Sequence, residues 1–487
     1  MKLNIDTIKK TLIFSEFGNG ANDMFLFKPK KFITHIDTLY YAVYLDCLDW
    51  KNDVRKKQLC DFLKSAKEMC RAEGKAQNIY EDIYEGLQVK DYNFGFYNLH
   101  IGKADCFDIF ISDYLPNKDT CPIIVQLRSQ FLWLKGAKVA FDEACACLEK
   151  ILSVYDFQIV RTQENRIDFA FHTNYIQDVL NFFPEKKLKE MQVSDFVRWH
   201  KEGYFFDDNT YCDYFVLGRR KSNNVFFRIY DKTKEVIEMG YKQFFIPIWL
   251  ENGLISKFDK YILEKCFEHG LYVYKEKARC EFYLEYGSDE THKQVITDML
   301  DDENVTYADW KRVADCLVPD LTTICNVEFQ CKRKFFYNLV LPRATKDTSY
   351  KANVYNCFEL YYSIINKLTY DTIRFVKWKG KWQGIKRIER PCADWWERLQ
   401  NAKMFEFNDI HYDLVREYQN TMDVERNKLL AIGKIASLSA YLGENEQEDT
   451  FQNDISDFVM SLNDNDFKTY NKKKREKYKD LKTKGLI

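Results

Sequence analysis

Asn165-Arg166-Ile167-Asp168-Phe169-Ala170-Phe171-His172 and Val225-Phe226-Phe227-Arg228-Ile229-Tyr230-Asp231-Lys232 are the two stretches from which the fold is read. Side chains of an extended chain point alternately to opposite faces. Arg166, Asp168, Ala170 and His172 then share one face, and Ile167, Phe169 and Phe171 the other. The second stretch repeats the division, with Arg228, Tyr230 and Lys232 opposite Phe227 and Ile229. Two strands with one polar and one apolar face predict a sheet covered by helices on its apolar side. Charged groups in mid-strand are costly unless paired, so an Arg166–Asp168 ion pair is the plain structural account of the first stretch.

Outward from these strands, residues 32–46 are rich in β-branched and aromatic residues and predict another strand, whereas the charged, proline-free residues 51–92 predict helices. Residues 94–133 return to short strands around a Pro116-Asn117 turn, and 139–154 form an amphipathic helical pattern. A helix over 176–182 and strands over 214–217, 225–230 and 278–286 follow, with helical insertions at 234–275 and 289–335. The pattern is that of an α+β fold. Its expected parts are a leader (1–30), an α+β core with helical insertions (31–288), a helical connector (289–345), a helical C-terminal module (346–443) and an acidic linker with a basic tail (444–487).

Composition narrows the function less than the pattern does. The 487 residues carry 73 Lys+Arg against 74 Asp+Glu, so no global basic excess announces nucleic acid or an anionic membrane. Charge is instead segregated, with an acidic run through Glu444, Glu446, Glu448 and Asp449 followed by a tail rich in Lys472, Lys473, Lys474, Arg475 and Lys477. The 15 cysteines include no C-x-x-C pair and no zinc spacing, which predicts reduced, mostly buried thiols. No 18-residue apolar run and no cleavable leader occur, so the expected location is the cytoplasm, with no membrane partner. Aromatics reach 16%, enough for a large core or for a surface on which bases stack.

Four segments carry candidate chemistry. The polar face of 165–172 offers Asp168 and His172, and Arg279-Cys280-Glu281-Phe282-Tyr283-Leu284-Glu285, read as a strand, adds Glu281; Asp168, His172 and Glu281 together suit one hard divalent cation. The turn Gly218-Arg219-Arg220-Lys221-Ser222 suits a phosphate backbone. In the strand after it Tyr230 lies between Arg228 and Lys232, and neighbouring cations favour a phenolate and bind the phosphodiester it would attack. The plain alternative is a strand-edge tyrosine among solvated bases. Trp395-Trp396, at a helix start, reads as a packing anchor before a stacking platform.

In this order the segments resemble the rolling-circle replication initiation factors of plasmids, phages and conjugative elements, and the related relaxases. The resemblance covers residues 32–400 and is most specific in Arg228-Ile229-Tyr230-Asp231-Lys232 through Glu235, lying downstream of Asn165 to Ala170. His172 stands where the family commonly has a second acid, and Cys280 interrupts the Arg-x-Glu segment. The resemblance implies an antiparallel-sheet, relaxase-like core of the palm or RRM type, related to HUH nickases, in a bacterial host cytoplasm. It implies a site-specific endonuclease and strand transferase acting through a 5′-phosphotyrosine at a replication or transfer origin. Tyr230 is then the nucleophile, with Arg228 and Lys232 on the phosphate. Arg219, Arg220, Lys221 and Ser222 contact DNA, and Asp168, Glu281 and His172 hold Mg²⁺ or Mn²⁺. Implied partners are single-stranded or cruciform origin DNA, a host helicase and a second copy of the chain. Two other readings stay open: a catalytically inactive DNA-binding protein of this fold, and a metal-dependent nuclease that uses water.

Overall fold

The computed structural model describes most of residues 22–402, except 26–28, 48, 117–119, 183–191, 195–213, 219, 221–223, 338, 341–352, 378–381, 383–384 and 387–388; beyond these it describes 415–416, 432, 456, 459–460 and 462–483. The chain divides into two compact units, Met1–Val415 and Arg416–Ile487. The expected leader and the acidic run from Glu444 to Asp449 lie almost wholly outside the described residues.

The first unit is built on an antiparallel sheet of ten strands among the described residues, within an α+β fold. In chain order the strands are β1 (Phe32–Leu45), β2 (Gln77–Asn78), β3 (Leu87–Lys90), β4 (Leu99–Lys103), β5 (Phe107–Ile111), β6 (Ile123–Leu127) and β7 (Ile159–Thr173). Then come β8 (Gln192–Ser194), which pairs elsewhere with Ile373–Phe375, and β9 (Tyr214–Leu217), β10 (Val225–Asp231) and β11 (Cys325–Lys332). Across the sheet the order is β2-β3-β4-β5-β6-β1-β7-β11-β10-β9. The long pair β1 and β7 forms its spine, from Phe32 opposite Thr173 to Leu45 opposite Ile159, with register shifts between Ile36 and Thr38, Tyr40 and Tyr41, and Tyr44 and Leu45.

One face of the sheet is a dry core. Phe169, Phe171, Phe227, Ile229, Val327 and Phe329 project into it, as the alternation predicts. It is covered by α1 (Val54–Glu73), α3 (Ala137–Ser153), α11 (Arg333–Tyr337), α12 (Val354–Glu359), α13 (Tyr361–Asn366) and α14 (Asp394–Gln400), while α2 (Ser129–Lys135) turns the chain from β6 into α3. Helix α1 starts where the Asp53 carboxylate accepts the Arg55 and Lys56 amides, and stops at Gly74, whose φ of 65° few other residues adopt without strain. Trp396 is fully buried against Phe227, Phe329 and Phe375, and its Nε1 donates to the Thr369 carbonyl at 2.8 Å. The tryptophan pair is a packing anchor.

Between the adjacent strands β10 and β11 the chain makes a helical insert with its own core. After the short α4 (Val179–Phe182), its helices are α5 (Lys232–Met239), α6 (Phe245–Glu251), α7 (Lys257–His269), α8 (Lys275–Tyr286), α9 (Glu290–Leu300) and α10 (Tyr307–Leu317). Capping boxes at Ser256 with Asp259 and at Thr306 with Asp309 start α7 and α10.

Three expectations are corrected. Residues 278–286 are helix rather than strand: α8 buries Glu276, Ala278, Arg279, Cys280, Phe282 and Tyr283, a spacing of three and four. Its Lys, Glu, Ala, Arg and Leu are strong helix formers, and it has no β-branched residue, so propensity outweighed an alternation of period two. Conversely, residues 325–332, read as part of a helical insertion, form β11 in the middle of the sheet, so the sheet extends past the expected boundary at 288. Residues 77–78 and 87–90 are strands β2 and β3, where a continuous helical region was expected. In the second unit, the basic tail carries a 20-residue helix, α15 (Asp464–Thr483).

Candidate active site

The other face of the sheet is polar, and the register shows which groups meet on it. Arg228 lies opposite Glu328, and Tyr230 opposite Asn326. On the far side of β11, Glu328 faces Ala170, Asn326 faces His172 and Gln330 faces Asp168. Three strands thus bring Arg166, Asp168 and His172 of β7, Asn326, Glu328 and Gln330 of β11, and Arg228 and Tyr230 of β10 onto one surface.

Each carboxylate there is clamped by an arginine. Arg228 binds Glu328 through two hydrogen bonds, Nε to Oε1 at 2.9 Å and Nη2 to Oε2 at 2.8 Å. Arg166 binds Asp168 likewise, through Nε to Oδ1 at 2.8 Å and Nη2 to Oδ2. Burial nevertheless pushes the Asp168 carboxyl up to about 6, against Arg166 and with the help of the Glu328 charge. Arg220, on the β9–β10 connection, donates to Gln330 Oε1 at 3.2 Å. Burial and the like charges of Arg166 and Arg228 lower its affinity for a proton, so three guanidinium groups converge above two carboxylates.

Tyr230 lies beneath this layer, with the Arg228 guanidinium 4.5 Å from its ring centroid. Its hydroxyl donates to Glu328 Oε2 at 3.3 Å and accepts from Asn326 Nδ2 at 3.0 Å and Lys232 Nζ at 3.3 Å. The residue is 1% exposed. Burial, reinforced by the Glu235 charge and opposed by Lys232, raises the phenol well above its ordinary range. The flanking cations therefore do not leave a phenolate here: desolvation outweighs them, and Lys232 is also paired with Glu235 at 2.6 Å. Burial opposes ionisation of Glu235, but Lys232 and Lys242 lower its carboxyl to about 2.

His172 closes this end of the face. Trp133 stacks on its ring at 4.5 Å, and Trp249 Nε1 donates to its Nδ1 at 3.1 Å, which places the imidazole proton on Nε2. Burial and the neighbouring Lys232 hold the ring neutral. Nearby, Asp37 accepts from Ser129 Oγ at 2.6 Å and from Trp133 Nε1 at 2.9 Å; burial opposes its ionisation, but Lys232 and Lys242 keep it ionised.

Of the residues expected from sequence, Tyr230, Arg228, Lys232, Asp168 and His172 lie on this face or at its end, and Arg220 at its edge. Arg219, Lys221 and Ser222 lie outside the described residues. Glu281 does not join them, because it is in α8, where its carboxylate accepts from the Tyr274 hydroxyl at 2.5 Å. The expected metal trio does not fit a divalent cation: Glu281 is on another element, both Asp168 oxygens are held by Arg166, and His172 Nδ1 is held by Trp249. Among the described residues no group of three His, Cys, Asp or Glu side chains is arranged to hold a metal ion. The residues missed from sequence are Asn326, Glu328 and Gln330. Their signal was the alternation Asn326-Val327-Glu328-Phe329-Gln330-Cys331, which repeats the pattern of 165–172.

No family model and no curated protein matches the chain. Among solved structures it is similar to a rolling circle replication initiator protein from Geobacillus stearothermophilus, at 11% identity and a TM-score of 0.34, over 76% of this chain and 96% of that one.

Proposed function

We propose that the chain is a tyrosine DNA strand transferase that nicks one strand through Tyr230, in the manner of a replication or transfer initiator. The observation that carries this is the shared hydroxyl of Tyr230, which contacts a carboxylate, an ammonium and an amide donor beneath a cluster of guanidinium groups. In the reaction Tyr230 Oη forms a bond to phosphorus and the bond from phosphorus to the 3′ oxygen breaks. The phenol proton passes to Glu328, its hydrogen-bond acceptor, and the leaving oxygen takes a proton from solvent. Arg228 and Lys232 offset the charge that develops on the transferring phosphate. Arg166 and Arg220 hold the adjoining phosphates. Glu328 thereby replaces Glu281 as the acidic partner, in a positioning and proton-accepting role that needs no metal ligand set.

Tyr230 is closed off in this structure, so attack requires the surroundings of its hydroxyl to open. The same burial favours a second reading, a DNA-binding chain of this fold that carries out no chemistry. Incubating the full chain with single-stranded oligonucleotides of varied sequence, with and without Mg²⁺ or Mn²⁺, separates the two. A covalent adduct on a denaturing gel that vanishes in Tyr230→Phe is the expected result. Equal cleavage by wild type and Tyr230→Phe would sink the tyrosine mechanism, and persistent binding without any adduct would favour the second reading.

A further inference from the structure

The polar face does not end at β7. It continues over β1, β6, β5, β4 and β3, where Tyr40 lies opposite both Arg166 and Gln126, Gln126 opposite Asp108, and His100 opposite both Phe110 and Lys90. Asp108 there repeats the arrangement of Asp168 and Glu328. It accepts from His100 Nε2 at 2.7 Å, Arg128 Nε at 2.7 Å and Lys90 Nζ at 3.3 Å. The close packing around it needs Gly102, because a Cβ at that position would come within 2.6 Å of Asp108 Oδ1.

The charges are layered. In the three couples the acids Asp108, Asp168 and Glu328 are 2%, 2% and 1% exposed, whereas Arg128, Arg166 and Arg228 are 36%, 23% and 29% exposed. The anions form the floor of the face and the cations its outer surface, so an approaching ligand meets positive charge although the chain as a whole is near neutral. Aromatic rings lie among these cations. Phe94 is stacked 4.6 Å from Phe110 and 6.0 Å from Tyr40, and it remains 40% exposed. Its position is fixed by a tight turn, in which Phe94 and Tyr97 exchange backbone hydrogen bonds at 2.9 and 3.0 Å and Gly95 takes a φ of 60°. Tyr92, 48% exposed, packs edge-on against His100 at 4.4 Å. Tyr40 joins the two halves, with Arg166 5.4 Å from its ring centroid.

The geometry points to a single-stranded DNA platform on this half of the sheet: bases stack on Phe94 and Tyr92, and Arg128 and Arg166 hold the phosphates that lead toward Tyr230. Outward cations fit a polyanion, and exposed flat rings beside them fit unpaired bases, whose faces a duplex conceals. The platform rests on the nicking reading for its direction, but binding and nicking are measured separately.

The test uses the full chain carrying Tyr230→Phe, so that no adduct forms, and a fluorescent oligothymidylate of about 15 nucleotides followed by anisotropy. Phe94→Leu and Tyr92→Leu keep an apolar side chain at each position, and a thermal melt checks that the fold is retained. Each is expected to weaken binding roughly 5- to 100-fold, the range of one lost stacking contact. Phe94→Trp is expected to restore it, because any aromatic face serves. Arg128→Gln is expected to reduce the salt dependence by about 0.7 in the slope of log K against log salt. Binding by folded Phe94→Leu and Tyr92→Leu within twofold of the parent, equal loss on a duplex of the same length, or no binding by the parent overturns the platform. If the leucine variants lose binding while wild-type Tyr230 forms no adduct, the platform stands and the nicking chemistry fails.

Discussion

At the scale of single residues, the face is decided by how each buried charge is compensated. Tyr230, Asn326 and Lys232 hold one another around a hydroxyl that donates to Glu328. Tyr230→Phe retains the ring and its contact with Arg228, so it should lower stability by only about 1 kcal/mol in urea unfolding while abolishing the covalent adduct. Asp168 offers a titration. Its carboxyl is raised from 3.8 to about 6 in the folded chain, so the folded state binds that proton more tightly than the unfolded one. The stabilisation is fully present below about pH 4 and lost as pH rises through 6, on the order of 3 kcal/mol across the window. Glu235 has the opposite sign: its lowered carboxyl stabilises the fold above about pH 4.5, and this is lost as pH falls toward 2. Asp168→Asn should therefore flatten the stability profile between pH 4 and pH 7. An unchanged difference from wild type across that window would show that Asp168 titrates normally.

At the scale of elements, the exchange of roles between α8 and β11 separates two explanations of the same residue pattern. In α8, Arg279 is buried and held by Glu276, by Asp315 at 2.9 Å, and by the Pro319 and Val318 carbonyls at 2.9 Å. Arg279→Ala would leave Glu276 buried without its cation and is expected to cost about 3–5 kcal/mol in urea unfolding. Glu281→Ala should leave adduct formation unchanged, whereas Glu328→Gln should slow it at least tenfold without unfolding the chain. The reverse ranking of the two glutamates would return the acidic role to α8. The spine of the fold was legible because β7 and β10 are long enough for alternation to be unambiguous, and their apolar residues Phe169, Phe171, Phe227 and Ile229 are buried as read. β11 was not legible, because Cys325 to Lys332 follows a helical insert and finds its neighbours more than 90 residues earlier in the chain, at Tyr230 and His172. Alternation in α8 misled because Arg279, Glu281, Tyr283 and Glu285 satisfy a period of two by chance, while burial follows a helical spacing. The nucleophile candidate could be read from its own strand, but its acidic partner is supplied by pairing, which local sequence does not encode.

At the scale of the whole molecule, a net charge of −1 conceals an arrangement in which the first unit places acids inside and bases outside on one sheet face. What governs binding to a polyanion is the cations that can release counterions, whatever the total charge. Arg128, Arg166, Arg220, Arg228 and Lys332 on this face would give a slope of log K against log salt of about −3 to −4 for single-stranded DNA. The second unit adds its own. In α15 the described side chains of Lys468, Lys472, Lys473, Lys474 and Arg475 are exposed. These exposed cations can meet phosphates, and they belong to a unit separate from the one that holds the sheet. A chain ending at Asn463 should bind oligothymidylate with a slope near the value expected from the sheet face alone, compared with a steeper one for the full chain. It should form the Tyr230 adduct on a short oligonucleotide at an unchanged rate. An unchanged salt slope would show that α15 does not reach DNA. Loss of the adduct in a truncated chain whose thermal melt matches the parent would make the helix part of the reacting site instead of an added electrostatic contact.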